Sequence, residues 1–447
     1  MRLAAGPGAL CALSALCIAL ALQLNNGAYE PRALALVTLA TLLALVAALW
    51  VRFGQPRENP LAAQALLGLG CAAGLLSHVF LNPTAYGDPR ALSGGFRWFA
   101  IAGLVFLSAW LCLHLRASLI KARFLLMLVC FAVMGVAVLR ASPRPWIDVW
   151  ITRQGAADAL LHGQDPYSVS FPNIYGNLAA QFYAPELISH GRVIAHPYPP
   201  LSVLLDLPAF ALFHEVRVLT LLAMLAAAWA LSRALPGVTG ELAALFVLFQ
   251  PKALFVLEQG WTEPLVLAAF AAALFMVTRP AKRVPHWLAL GLAFGILLAS
   301  KQYAPLLAVP LWLAIPPPHR LRATATALAL VCAVMLPFVA WDPQGFLRGV
   351  VRMQILQPFR SDALSLSALW AQRFGAPAWG AVPAFVAAAA VLALTLRWRM
   401  RAVQAVSSAG AAWLLFVLLN KQAFCNYYWL GAGLVCGAAA AQLQETS

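Results

Sequence analysis

F-L-L-M-L-V-C-F-A-V-M-G-V-A-V-L-R-A-S-P-R-P-W-I-D-V-W (124–150) opens with an apolar run long enough to cross a bilayer, at about 20 residues per helical crossing. It closes on prolines and arginines, with an aspartate set between two tryptophans. Four similar runs precede it, at about 3–24, 33–51, 61–81 and 98–115, and others follow. The whole chain of 447 residues is 63% hydrophobic and 10% charged, with a mean hydropathy of +0.81. A water-soluble domain carries about 45–50% apolar and about 25% charged residues, so the surplus faces lipid. The predicted fold class is an all-α polytopic transmembrane protein of about 13–15 spans. A soluble enzyme, a single-pass receptor and a disordered chain are excluded. The first run is read as an uncleaved span, because a second follows it at once. The Ala-rich, lysine-poor composition points to a GC-rich bacterial genome and a plasma-membrane protein.

The net charge of +15 does not point to nucleic acid, because the basic residues stand singly or in small groups at the ends of apolar runs. That is the pattern of cytoplasmic loops under the positive-inside rule. Arg52 and Arg57, then Arg116, Lys121 and Arg123, place two loops and the N-terminus inside. Five spans then deliver the segment 142–198 to the outer side, and a polar loop of that length is usually functional. Three later clusters without an acid, 279–283, 318–322 and 397–401, are also read as cytoplasmic. Between them lie S-K-Q-Y (300–303), the second outer loop 342–377, and N-K-Q-A-F-C-N-Y-Y (420–428) after the last. S-K-Q-Y joins either two short spans or a broken helix pair, with Lys301 at the outer surface. Residues 199–279 must hold an odd number of crossings, yet four candidates are visible: 199–213, 217–235, 240–257 and 262–279. One of them is expected to be re-entrant or to lie on the surface, above all a short Pro-interrupted one.

The outer motifs carry the candidate chemistry. Of the five lysines in the chain, Lys252, Lys301 and Lys421 sit in or beside these motifs, on the side where positive charge is normally depleted. A lipid phosphate is a reason for such placement; snorkelling to the interface is the other. Asp148 in W-I-D-V-W is open to two readings. It is an N-cap for a surface helix over 149–161, whose apolar residues recur at helical spacing, or a general base, since a carboxylate held out of bulk water is the stronger base. Glu258, Gln259 and Glu263 in E-Q-G-W-T-E (258–263) suit sugar hydroxyls or a cation, or a helix dipole. Asp165, Tyr167, His196, Tyr198 and Gln302 complete the substrate-binding candidates, and Tyr167, Tyr175, Tyr183 and Tyr198, with Trp146 and Trp150, either stack on sugar faces or form an interfacial belt. The eight cysteines lie in or beside apolar runs without metal spacing and read as buried free thiols. No metal site is assigned; a single divalent ion on Asp148 and a glutamate stays open.

In order along the chain, a span, an aspartate just outside it, G-x-D-P-Y (Gly163, Asp165, Pro166, Tyr167), a loop ending in Y-P-P (Tyr198, Pro199, Pro200) and a G-x-x-x-G-x-x-x-A-S-K helix (Gly291, Gly295, Ser300, Lys301) resemble the GT-C integral-membrane glycosyltransferases. The resemblance is nearest to glycosyltransferase family 87, the polyprenyl-phosphate-mannose-dependent mannosyltransferases and their relatives, and covers about 124–430. It implies a GT-C catalytic module over 124–447, with 1–123 as additional N-terminal helices. It also implies transfer of a hexose, foremost mannose, from a polyprenyl monophosphate to the hydroxyl of a glycolipid or polysaccharide on the extracytoplasmic face. The family's general base maps onto Asp148 and its donor-phosphate lysine onto Lys301. The mechanism expected is attack by the acceptor hydroxyl on the anomeric carbon with inversion, with Lys301, aided by Lys421 or Lys252, holding the departing phosphate. The rival classes are a transporter or lipid flippase, which calls for charges near mid-span, and a polysaccharide ligase using a lipid pyrophosphate. Asp206 is the chief acid found inside an apolar run.

Overall fold

Proline starts many of the helices, since a residue without an N–H and with a fixed φ fits the first helical position. The computed structural model describes residues 6–54, 60–92, 95–113, 117–375 and 379–444; Arg57 and Arg116 lie outside them, as do the side chains of Cys112 and Lys121. The first five helices are α1 (Pro7–Asn25), α2 (Pro31–Phe53), α3 (Pro60–Phe80), α4 (Gly95–Leu113) and α5 (Ala117–Ala141). Helix α6 (Asp148–Leu161) opens a polar segment that holds a small antiparallel sheet of β1 (Phe171–Pro172), β2 (Ile188–Ser189) and β3 (Arg192–Val193), in the order β1-β3-β2. Then come α7 (Pro200–Phe213), α8 (Arg217–Ala234), α9 (Val238–Phe249), α10 (Ala253–Gln259), α11 (Glu263–Thr278), α12 (His286–Ser300), α13 (Pro305–Ala314) and α14 (Pro317–Trp341). The last are the short α15 (Pro343–Phe346), α16 (Met353–Leu356) and α17 (Leu366–Phe374), then α18 (Val382–Thr395), α19 (Ala402–Leu419) and α20 (Cys425–Gln444).

The chain is an all-α polytopic membrane protein. Among the described residues seven helices are long and apolar enough to cross a bilayer, or eight if α9 and α10, bent by 51° at Pro251, form one span. Further apolar helices of 10–17 residues stand beside them, so the expected 13–15 crossings are not all full-length helices. One apolar core runs from Cys11 to Ala441. Helix α1 packs on α2 and α20, α2 on α19 and α3 on α9, so the helices before residue 123 share that core with the rest.

Polar contacts sort the helix ends onto two faces. On the basic face Arg123 pairs with Glu241 at 2.7 Å, Arg397 donates to the Arg52 carbonyl at 3.1 Å, and the rings of His286 and His319 meet at 5.2 Å. On the opposite face the Asp88 N–H donates to the Ala141 carbonyl (2.9 Å), Tyr29 to Asp362 (2.8 Å) and Leu364 to Ala423 (2.8 Å). The segments 142–198 and 342–365 and the start of α20 thus meet on one side, away from the three basic clusters. The four candidates between 199 and 279 also resolve. Both ends of α7 lie on the face opposite the basic one: Tyr198 and Pro199 precede it, and after it Glu215 takes a hydrogen bond from Trp150 of α6 (3.1 Å). Helix α7, with Pro208 inside it, does not cross, while α8, the α9–α10 pair and α11 connect the two faces.

S-K-Q-Y joins two short helices rather than one broken span. Gly291 and Gly295 let α12 lie directly against Ala323, Thr326, Ala327 and Leu330 of α14, where a Cβ would collide. The two helices start together at His286 and His319, but α12 stops at Ser300 while α14 continues to Trp341. At 1.5 Å per residue Lys301 lies about 10 Å below the end of α14. The expected surface position of Lys301 is therefore corrected: its residue is only 8% exposed, sunk at the bottom of a recess.

Candidate functional site

Helix α6 starts where the extended Ile147 gives way to Asp148. The Asp148 Oδ1 accepts the Val149 N–H at 2.8 Å, and Oδ2 accepts the Tyr183 hydroxyl at 2.8 Å. Tyr183 is buried, and Tyr175 beside it stacks on Phe182 at 3.6 Å. Burial, and then the Asp148 charge, hold both phenols above the ordinary tyrosine range, so they remain neutral donors. Asp148 is thus the first residue of α6 and not its N-cap, a position held by Ile147, since the N–H that its carboxylate reaches is that of the adjacent Val149 and its other oxygen accepts the Tyr183 hydroxyl. The helix is anchored by Arg153, which forms a fork with Asp206 of α7 (2.9 and 2.5 Å) and also donates to Thr220 and the Gly260 carbonyl. Asp206 is therefore a partnered acid of a helix that does not cross.

Asp148 lines a cleft of about 220 Å³ on the face opposite the basic clusters. Lys301 lines the same cleft; its ammonium donates to Thr262 and to Glu263 Oε1 (3.1 Å) and lies 4.6 Å from the centre of the Tyr198 ring. Tyr303 also donates to Glu263 Oε1, at 2.9 Å. Burial pulls the Lys301 ammonium below the ordinary lysine range, and the Glu263 carboxylate works against that shift. Gln354, Gln357, Asn426 and Tyr427 add hydrogen-bonding groups to the walls; Trp261 and Phe424 add flat apolar surfaces. The cleft holds a carboxylate, a buried cation, amides and aromatic planes, a combination suited to a polar ligand that carries an anion.

No family model, curated protein or solved structure matches the chain. What the site does is therefore argued from its geometry.

Of the residues singled out in the sequence, Asp148, Tyr175, Tyr183, Tyr198 and Lys301 line the cleft, and Glu263 stands behind Lys301. The others are placed elsewhere. Lys421 donates to the carbonyls of Ile355 (3.0 Å) and Gln357 (2.5 Å), fastening the second outer segment instead of facing the cavity. Lys252 sits in the break between α9 and α10, 6.0 Å from the centre of the Phe255 ring. Glu258 accepts the N–H groups of Ala85 (2.6 Å) and Tyr86 (2.9 Å), with Gln259 beside it, and so ties down the α3–α4 loop. Asp165 closes a turn on the Tyr167 N–H at 2.9 Å, and burial raises its carboxyl above the usual range. Tyr167 donates to the Tyr198 carbonyl (2.7 Å), and Gln302 to the carbonyls of Pro197 (2.8 Å) and Val350 (3.0 Å). His196 is enclosed by the rings of Tyr167, Phe171 and Tyr198 with no hydrogen-bond partner for either nitrogen; burial, then Arg153, lowers it to about 3.

Arg360 is a cleft residue that the sequence reading missed. Its guanidinium lies 4.3 Å from the ring centre of Phe182 and 4.8 Å from that of Phe424, and it forks onto Asp362 (2.8 and 2.6 Å). The argument made for the lysines, a cation on the side poor in cations, applies equally to this arginine. Among the described residues no three His, Cys, Asp or Glu are grouped to hold a metal ion, so the ion left open on Asp148 has no such ligand group there. Among the described cysteines six are buried free thiols, as expected, whereas Cys332 is exposed.

Proposed function

We propose that the protein is an inverting membrane glycosyltransferase of GT-C type. It takes a hexose, foremost mannose, from a polyprenyl monophosphate carrier and passes it to a hydroxyl of a glycolipid or polysaccharide. The reaction occurs on the extracytoplasmic face of a bacterial plasma membrane, with the basic clusters inside. The observation that carries this reading is that Asp148 and the buried Lys301 line one aromatic, amide-lined cleft. The Asp148 carboxylate, which lines the cleft, takes the proton of the acceptor hydroxyl while the Tyr183 hydroxyl holds it in place. The acceptor oxygen forms its bond to the anomeric carbon from one side as the bond to the phosphate oxygen breaks on the other. The charge that grows on the leaving phosphate is stabilised by the Lys301 ammonium and the Arg360 guanidinium, fixed charges that need no reorganisation during the step. A carrier lipid fits a site with these positions, since its phosphate reaches the cleft from the membrane plane.

The test is sugar transfer in membranes carrying wild-type or Asp148→Asn protein at matched levels, with labelled polyprenyl-phosphate mannose and candidate acceptors. Asn keeps the shape and the acceptance of the Tyr183 hydrogen bond but not the basicity. The expected loss is about 10²- to 10⁴-fold. Full activity in the variant overturns the assignment of Asp148.

A further inference from the structure

We infer that the basic face carries a binding site for the phosphate of an anionic phospholipid, between α8 and α11. The carboxyl ends of these two helices and the chain just after them enclose a cavity of about 490 Å³, lined by Ser232, Arg233, Phe275, Met276, Arg279 and Lys282 among others, with no acidic residue in its wall. That volume falls within the range of small-ligand pockets, about 300–1,000 Å³.

The positive-inside pattern and the helix dipoles account for cations at this level. The cations of this face are used in two ways. Some arginines are spent on protein acceptors. Arg320 donates to the carbonyls of Leu313, Ile315 and Trp398, Arg397 donates to that of Arg52, and Arg123 holds Glu241, the acid of α9. Others, Arg283 and Arg322 among them, have no hydrogen bond, ion pair or ring contact of their side chains among the described residues; Arg233, Arg279 and Lys282 are of this second kind, and these three are gathered around one hollow. Three like charges around one acid-free hollow repel one another, and a phosphate in the hollow removes that cost. Basic pockets between transmembrane helices bind lipid head groups in this way.

The surroundings select a lipid over a soluble phosphate. Leu222, Ala226, Trp229 and Arg233 recur at helical spacing on the exposed stripe of α8, so that an apolar track leads straight to the cationic end. Trp229 is 51% exposed, and its ring meets that of Phe275, a residue of the cavity wall, at 6.2 Å. An acyl chain along this track places its phosphate among the three cations. A free phosphate ester has no use for the track.

The experiment titrates dioleoyl-phosphatidylglycerol or dioleoyl-phosphatidylcholine into the purified full chain in detergent and counts bound lipid by native mass spectrometry. Two variants remove the same charge from the same face: Arg279→Gln with Lys282→Gln, and Arg322→Gln with Arg399→Gln. At about five-fold per cation, the first pair is expected to weaken phosphatidylglycerol binding about 25-fold and the second pair to leave it close to wild type. Charge-keeping Arg279→Lys with Lys282→Arg is expected to retain binding, which separates lost charge from misfolding. The site is overturned if both charge-removing pairs weaken binding alike, if neither does, or if phosphatidylcholine binds as tightly. Displacement of the lipid by millimolar glycerol 3-phosphate assigns the hollow to soluble phosphate esters and overturns the lipid.

Discussion

Replacing Asp206 by alanine strands the guanidinium of Arg153 inside the protein. The two side chains are 1% and 2% exposed, and two of the guanidinium nitrogens donate to the carboxylate, at 2.9 and 2.5 Å. Without the carboxylate the charge faces only neutral acceptors: Thr220, the Gly260 carbonyl and a long contact of 3.4 Å to the Val216 carbonyl. Breaking a buried pair from one side costs about 3–5 kcal/mol. Asp206→Asn keeps one oxygen as an acceptor and is expected to cost about 1.5–3 kcal/mol, the worth of a hydrogen bond to a charged group. Arg153→Leu with Asp206→Leu removes both charges together and is expected to recover most of the loss, because well-packed apolar replacements of ion pairs are often neutral. The assay is thermal inactivation of the detergent-purified protein, followed by tryptophan fluorescence and by the monodisperse fraction after heating. Half-lives are compared, since irreversible unfolding makes rate the operational measure. The expected order is wild type, double variant, Asp206→Asn, Asp206→Ala. An Asp206→Ala protein as long-lived as wild type, or a double variant less stable than Asp206→Ala, refutes the reasoning that this pair fastens α6 and with it Asp148.

Lys301→Met removes the buried cation of the cleft and is expected to lower the turnover number about 10²- to 10³-fold, while Arg360→Ala lowers kcat/KM for the donor about tenfold; both are read in the transfer assay with saturating acceptor. His196 gives a pH prediction. Its folded value, about 3, lies below the ordinary 6.5, so below pH 6.5 the unfolded chain takes up a proton that the folded one refuses. Stability is therefore present in full above about pH 6.5 and falls with decreasing pH by about 1.4 kcal/mol per unit, until about pH 3. His196→Phe suits the surrounding rings and is expected to flatten that acid limb; thermal inactivation of both proteins between pH 7 and pH 4 measures it, and parallel curves count against a buried neutral imidazole.

Much of the architecture is legible in the residues themselves. Apolar runs of crossing length and their prolines set helix positions, because lipid leaves backbone groups no partner except the helix. The basic clusters sort the loops onto two faces, because cations are depleted on the far side. From these alone the segments containing Asp148, Lys301 and Asn420–Tyr428 belong together. Parity alone also requires that one of the segments between 199 and 279 fail to cross. Which one it is depends on Arg153, 53 residues from Asp206 along the chain, whose guanidinium meets that carboxylate only when α7 lies beside α6. The lysines divide in the same manner. Lys301, Lys252 and Lys421 are equivalent as isolated cations near outer motifs, yet one reaches the cleft, one lies at a helix break and one is consumed by the carbonyls of Ile355 and Gln357. A side chain's direction and its partner come from residues distant in sequence, and so do the depth of Lys301 and the choice of Tyr183 and Arg360 as neighbours of the cleft. Which runs become membrane helices follows from transfer energies summed along the chain. The site follows from distances between helices, which only packing decides.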